Sequence, residues 1–333
     1  MQSLLWSEAR RVFTLNFWVA ANTMGIDMSK DSFHAAFDEF SVRQFHNTEE
    51  GIDSFLAILA EQRMRSDETT LGVEATGVYH LLLCERLRIA GWDIRVINPL
   101  LTHRLARSSR RKLKTDHADA LLIRKALVAG LGYPHTDTPQ IQTLKAILAQ
   151  REALVRMRAM LKQQRSAYTV RVQVAGVTPH NGFQEILMVL KTQLQTLERE
   201  MANHAPETQR LPRTIPGIGA ISAAALVAVV GDMRRFANPE KLTAYTGLDC
   251  RRHQSGTSIH GKGYITKRGN AYLRYILFNA AFIARQHDAE LKAYFEKKVS
   301  EGKHYCSAVC AVERKLVHRI YAVWRRGRPY ETR

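Results

Sequence analysis

Four carboxylates in the first part of the chain have the types and spacing to do chemistry. Asp116 and Asp119, in the run Lys114-Thr115-Asp116-His117-Ala118-Asp119, stand three apart in what reads as the first turn of a helix, so both project from one face. Two like charges so close repel each other. The arrangement is tolerated when a divalent cation lies between them, and hard oxygen ligands suit Mg²⁺ or Mn²⁺. The helix dipole also favours acids in a first turn, so this pair taken alone reads more readily as a solvated N-terminus. Asp27 ends the apolar run Met24-Gly25-Ile26 and Glu74 ends Leu71-Gly72-Val73. Each is an acid where a short buried strand stops, a position that is costly unless the charge is paired or metal-bound. Two strand-end acids with an i,i+3 helical pair form the pattern of a two-metal nucleic-acid site, where the metals bind the phosphate oxygens of attacking and leaving groups.

The elements that must position these acids follow from the alternation of apolar and polar residues. Runs at 22–27, 32–40 and 42–46 predict three short strands in an antiparallel meander. Asn47 with Glu50 is the expected cap of a helix whose stripe is Ile52, Phe55, Leu56 and Leu59, followed by a strand at 69–74. A helix over 81–90 stops at Gly91, and a strand over 92–97 is closed by Asn98-Pro99. This order is that of an α/β ribonuclease H-like fold, with its acids on the first strand, the fourth strand and a late helix. The connection 104–114 carries Arg104, Arg107, Arg110, Arg111, Lys112 and Lys114 and no acid. It suits tracking a phosphate backbone, or a solvated linker.

Beyond the acids, steps of seven through Ile147, Leu154, Leu161 and Tyr168 predict one long helix. Alternating steps of four and three through Phe183, Leu187, Leu190, Leu194, Leu197 and Met201 predict a second, with Gly176, Pro179 and Gly182 between them. A coiled-coil helical hairpin results, its seam either joining subunits or closing on itself. Ile215-Pro216-Gly217-Ile218-Gly219 before an Ala-rich helix resembles a helix-hairpin-helix, in which the tight turn at Gly217 and Gly219 offers backbone N–H groups to a phosphate. Residues 251–274 hold Arg251, Arg252, Lys262, Lys267, Arg268 and Arg274, four glycines and no acid. Within that basic loop lie Ser255 and Ser258. Positive surroundings favour an alkoxide there with a phosphate beside it, although serines in Gly-rich loops are also simple turn formers. The remainder, 270–326, reads as helices, giving a mainly α C-terminal region.

Composition narrows the partner. The 333 residues carry 49 Lys+Arg against 31 Asp+Glu, a formal net charge of +18, and 45% hydrophobic residues. That is a folded chain of two or three domains suited to a polyanion. The longest apolar run, 220–230, falls short of the 18 or so residues that span a bilayer, so nucleic acid is the expected partner and a membrane is not. Cys84, Cys250, Cys306 and Cys310 show no CxxC spacing, so neither a disulfide framework nor a zinc site is expected, and a reducing cytoplasm fits. Residues 1–21 lack the pattern of a signal peptide and are expected to be an extension of the domain that follows.

Taken in order, Gly25-Ile26-Asp27-Met28-Ser29-Lys30, Val73-Glu74-Ala75-Thr76-Gly77-Val78-Tyr79, Val96-Ile97-Asn98-Pro99, Lys114-Thr115-Asp116-His117-Ala118-Asp119-Ala120, Ile215-Pro216-Gly217-Ile218-Gly219 and Arg251-Arg252-His253-Gln254-Ser255-Gly256 resemble the DEDD transposases of insertion sequences, relatives of the Piv-type DNA invertases. The resemblance runs from about residue 22 to 324. It implies a DNA recombinase with a ribonuclease H-like (Holliday-resolvase-like) catalytic domain at 22–138, a coiled-coil connector at 139–206 and a C-terminal transposase domain at 207–333. It further implies a metal-binding tetrad of Asp27, Glu74, Asp116 and Asp119, and Ser255 as covalent nucleophile. The implied partners are double-stranded DNA at element ends and targets, a noncoding bridge RNA, and further copies of the chain as a dimer or tetramer in a prokaryotic, nucleoid-associated cytoplasm. The start before Asp27 is longer than the family's. A junction endonuclease would use the same four acids to activate water and would need no serine.

Overall fold

A computed structural model describes residues 22–75, 77–108, 115–204, 210–250, 254–255, 258–259 and 265–331, with only the backbone for 254, 255, 258 and 259. The extension at 1–21 lies outside these residues. The chain divides into two compact units, 1–135 and 136–333.

The first unit is a six-stranded mixed sheet in the order β3-β2-β1-β4-β5-β6. β1 (Asn22–Met28) lies inside it, antiparallel to β2 (Ser32–Ala36) and parallel to β4 (Thr69–Glu74). β3 (Val42–His46) extends the antiparallel side and β5 (Asp93–Ile97) the parallel side. A two-residue strand, β6 (Tyr133–Pro134), closes the β5 edge. Period-two alternation splits β1 between two faces. Met24, Ile26 and Met28 join Phe33, Phe55 and Leu71 in the core that α1 (Glu49–Glu61) and α2 (Leu81–Ile89) cover. Gly25 faces α4 (Asp116–Val128) on the other side, where Ile123, Ala126 and Leu127 pack on Ile97.

Local chemistry shifts three expected boundaries. β2 stops at Ala36 rather than Phe40, because Asp38 Oδ1 accepts from the backbone N–H groups of Phe40 and Ser41 at 2.6 and 2.7 Å and turns the chain, leaving Phe40 91% exposed. α1 is capped by Thr48, whose hydroxyl accepts from Gly51 N–H at 3.2 Å, and not by Asn47. Asn98-Pro99 opens α3 (Pro99–Ser108) instead of merely ending β5: Asn98 Oδ1 accepts from Leu100 N–H at 2.9 Å and Pro99 stands at the first helical position. The first part of the basic connection is therefore helical.

Among its described residues, the second unit is helical apart from one small hairpin. α5 (Pro139–Ala175) ends at Gly176, whose φ of 65° supplies a left-handed cap, and α6 (Gly182–His204) returns along it. Leu190, Leu194, Leu197 and Met201 are buried, so the seam predicted from the heptads closes inside the chain. At its base Leu144, Leu148 and Met201 pack on α7 (Ala220–Val230) and α9 (Ala271–His287). Arg151 ties this junction, donating to Glu198 at 2.8 Å and to the Tyr272 hydroxyl at 3.0 Å. The main core lies among α7, α8 (Pro239–Thr246), α9, α10 (Ala289–Ser300) and α11 (Tyr305–Arg326). No helix among the described residues is long and apolar enough to cross a membrane.

Candidate active site

The acid site begins with two glycines. A Cβ on Gly25 would lie 2.2 Å from Ala120 O and 2.3 Å from Arg124 N, so the backbone of α4 rests directly on β1. Arg124 fastens the contact, its Nε donating to Thr23 O at 2.8 Å. Gly72 on β4 gives room for the Leu127 side chain in the same way. This close approach sets the first turn of α4, with Asp116 and Asp119, beside the end of β1. Thr115 caps that turn by accepting from Ala118 N–H at 3.2 Å. Because β1 and β4 are parallel, with Ile26 paired to Val73, Asp27 and Glu74 emerge at the same edge of the sheet.

All four predicted acids thereby converge. Burial first, then the charges of Asp119, Glu74 and Asp116 in that order, push the Asp27 carboxyl up to about 7 against one hydrogen bond from the Met28 backbone. Such a concentration of negative charge is relieved by a proton or by a cation, and the oxygen-only donor set suits a hard divalent ion. As the side chains stand, no three His, Cys, Asp or Glu among the described residues are drawn together as a finished coordination sphere. The acids fit a cation by charge and donor chemistry.

Two further side chains at the site escaped the sequence reading. The buried Thr102 on α3 donates its hydroxyl to Glu74 Oε2 at 2.7 Å, with Pro99 O a competing acceptor at 2.9 Å. Recognising Asn98-Pro99 as a helix start would have put Thr102 one turn into a helix at the sheet's carboxyl edge. His34 is the register partner of Asp27 on β2, and its Nδ1 lies 3.9 Å from Asp116 Oδ2. Period-two pairing gives no sequence signal for a histidine opposite an acid until the strands are aligned. Asn47, displaced from its expected capping role, donates to Ser29 O, Lys30 O and Tyr79 O at 3.1 to 3.3 Å, tying together the turns that leave β1 and β4.

Of the predicted nucleic-acid contacts, Arg107 is exposed in the last turn of α3, while Arg110, Arg111, Lys112 and Lys114 lie outside the described residues. Gly217 has φ 87°, and a Cβ there would meet Ala280 O at 2.3 Å, so packing on α9 by itself demands a glycine at that position. Gly219 caps α7 and borders open space. Before that turn stands a 3-10 turn, Pro212–Thr214. In the basic loop, Ser255 belongs to β7 (Gln254–Ser255) and pairs with Ser258 of β8 (Ser258–Ile259). Lys267 and Arg268 are exposed where the loop returns, and Arg251, Arg252 and Lys262 lie outside the described residues.

A mixed α/β sheet domain followed by a helical unit agrees with what the chain matches. A DEDD transposase family of the IS110 type covers residues 24–169, and the family described as "Transposase IS116/IS110/IS902 family" covers 209–296. The chain is 31% identical over 320 residues to a pilin gene-inverting protein of Moraxella lacunata, spanning 93% of this chain and 98% of that protein. This chain belongs to the IS110-type transposases. It is also 25% identical over 340 residues to the transposase of insertion sequence element IS1328 from Yersinia enterocolitica, spanning 91% and 97% of the two chains. It is therefore a transposase and DNA recombinase by family, with a mixed α/β sheet domain followed by a helical region, and DNA is its substrate.

Proposed function

We propose that this transposase cuts and rejoins DNA at an insertion-sequence end by pairing the acid tetrad with Ser255. The observation that carries the reading is the convergence of Asp27, Glu74, Asp116 and Asp119, with Asp27 pushed up to about 7 by burial and by the other three. A sheet that is antiparallel from β3 to β1 and parallel from β1 to β5, with acids at the ends of β1 and β4 and on a late helix, supports a ribonuclease H-like catalytic domain at 22–138. The helical hairpin at 139–206 then serves as connector and the region 207–333 carries the serine. Mg²⁺ or Mn²⁺ held by the four carboxylates would supply Lewis-acid stabilisation of charge on the phosphate.

The residues of this chain divide the work. Ser255 Oγ loses its proton and attacks the phosphorus, one P–O bond to the DNA breaks, and the departing DNA oxygen takes up a proton. The resulting Ser–phosphate ester is resolved when the hydroxyl of another DNA end attacks the same phosphorus and Ser255 recovers its proton. One phosphoester replaces another at each step, so no external energy source is required. Arg251 and Arg252 offset the growing charge, while Arg107, Arg110, Arg111, Lys112, Lys114, Lys262, Lys267 and Arg268 hold the backbone. The Gly217 and Gly219 turn is included as a further phosphate contact in the manner of a helix-hairpin-helix.

The family resemblance supports a bridge RNA from the same element as the guide that pairs with donor and target DNA. Assembly as a dimer or tetramer is supported by apolar side chains left exposed on the hairpin, among them Met157, Met160, Val174, Met188 and Val189. The test is a denaturation-resistant protein–DNA adduct formed with Mg²⁺ on a plasmid carrying the DNA that flanks this gene. Ser255→Ala is expected to abolish adduct and strand exchange with binding nearly intact, and Ser258→Ala to retain substantial activity. Normal Mg²⁺-dependent cutting by Ser255→Ala, with free DNA ends, would replace the reading with a water-using junction endonuclease.

A further inference from the structure

The loop that bears Ser255 leaves the helical unit through a stem built backbone against backbone. Gly247 ends α8 with φ 73°, and a Cβ there would lie 2.6 Å from Gly269 N. A Cβ on Gly269 would lie 2.0 Å from Tyr245 O. Across the stem Lys267 N–H donates to Gly247 O at 3.0 Å and Thr266 N–H to Asp249 O at 2.9 Å, the Thr266 hydroxyl meets Asp249 Oδ1, and Cys250 pairs with Ile265. Lys267 is held at φ 55°, a left-handed conformation that a non-glycine residue keeps only where its surroundings over-determine it.

The Arg274 side chain also spans this stem. Arg274, in the first turn of α9, donates from Nη1 to Thr246 O at 3.1 Å and to Gly269 O at 2.9 Å, joining the carbonyl at the end of α8 to the returning side of the loop. Glu313 of α11 stands behind it, 1% exposed, with Oε1 lacking a hydrogen-bond partner. Burial pushes the Glu313 carboxyl up to about 8, and the Arg274 charge opposes that rise. Near neutral pH that carboxyl largely keeps its proton, so Arg274 is held by its two carbonyl partners.

We propose that Arg274 is a positioning residue for the Ser255 loop. It fixes the two backbones between which the loop is slung, and so the point from which the nucleophile is offered. The inference rests on Ser255 being that nucleophile. A reacting atom displaced by about 1 Å costs on the order of 100-fold in rate, so a stem loosened by that much slows chemistry while leaving the basic surface able to bind.

The experiment compares wild type, Arg274→Met, Arg274→Lys, Arg274→Gln and Ser255→Ala, each as the full chain. Adduct formation is measured on a supercoiled plasmid carrying the DNA flanking this gene, with RNA transcribed from that flank, and is expressed per folded molecule. Amide hydrogen exchange is followed at 247–250 and 265–269. Arg274→Met, which keeps length and removes the donors, is expected to slow the adduct at least tenfold, hold DNA binding within twofold and speed exchange in the stem. Arg274→Lys should recover to within about threefold of wild type, since an ammonium can still donate to both carbonyls. Should Arg274→Met fail to fold, Arg274→Gln, which keeps part of the donor set, should show the same two changes in smaller degree. An Arg274→Met rate that matches wild type per folded molecule, or a Lys variant no better than Met, overturns the proposal. Faster stem exchange without slower chemistry does so as well. An adduct that survives in Ser255→Ala identifies failure of the nucleophile instead, while stem exchange still reports on the clamp.

Discussion

Gly25→Ala tests whether the contact between α4 and β1 sets the acid site. The added Cβ would fall 2.2 Å from Ala120 O and 2.3 Å from Arg124 N, where ordinary contact begins near 3.4 Å. Both neighbours are backbone, so no side chain can rotate away, and α4 must shift by about 1 Å to fit. Overpacking of this kind costs about 1–3 kcal/mol, which in a unit of this size lowers the melting midpoint by several degrees. The same shift carries Asp116 and Asp119 away from Asp27, and a displacement of that size is worth on the order of 100-fold in rate. The assay is Mg²⁺-dependent cleavage of the flanking-DNA plasmid below the midpoint, with filter binding of the same DNA as control. Gly72→Ala is the internal comparison: its Cβ meets Leu127 side-chain atoms at 2.5 to 2.9 Å, and that side chain has rotamers available. We expect Gly72→Ala to lose stability with a smaller loss of rate. If Gly25→Ala cleaves as wild type does, the close approach of α4 does not govern the geometry of the acids.

Two further outcomes follow from the same site. Thr102→Val removes the hydroxyl that holds Glu74 Oε2 and leaves the volume nearly unchanged, so the Mg²⁺ concentration giving half-maximal cleavage should rise several-fold, and Thr102→Ser should restore it; equal Mg²⁺ dependence in all three would mean that Glu74 needs no such support. Asp27 holds its proton more tightly folded than unfolded, so the metal-free protein should lose stability as pH rises from about 4 through 7, the range between the ordinary value of 3.8 and the folded value of about 7. Asp27→Asn should therefore raise the metal-free melting midpoint near pH 8 and change it little near pH 4, while abolishing cleavage. A midpoint for Asp27→Asn that falls at pH 8 would show the carboxylate to be stabilising and the reasoning wrong.

The sequence determined the identities and order of the acids, because each sits at a punctuation mark that local physics writes plainly. Asp27 and Glu74 end short apolar runs, and Asp116 and Asp119 follow a capping threonine. Alternation and heptad steps likewise gave β1 to β5 and the two long helices, since periodicity of apolar residues is what buries an element's face. Boundaries went astray where a side chain served a partner that the local pattern does not name. Asn47 looked like a cap and instead binds carbonyls on two distant turns, Asn98-Pro99 looked like a stop and is a start, and Asp38 folds β2 back early. Only the tertiary structure decided that Gly25 is the seat of α4, that Thr102 and His34 stand beside the acids, and that the seam containing Leu194 closes within one chain. Those outcomes depend on which faces meet across the fold. A linear pattern specifies that a face is apolar, or that a glycine is small, but the backbone that comes to rest against it is chosen by the packing of the whole unit.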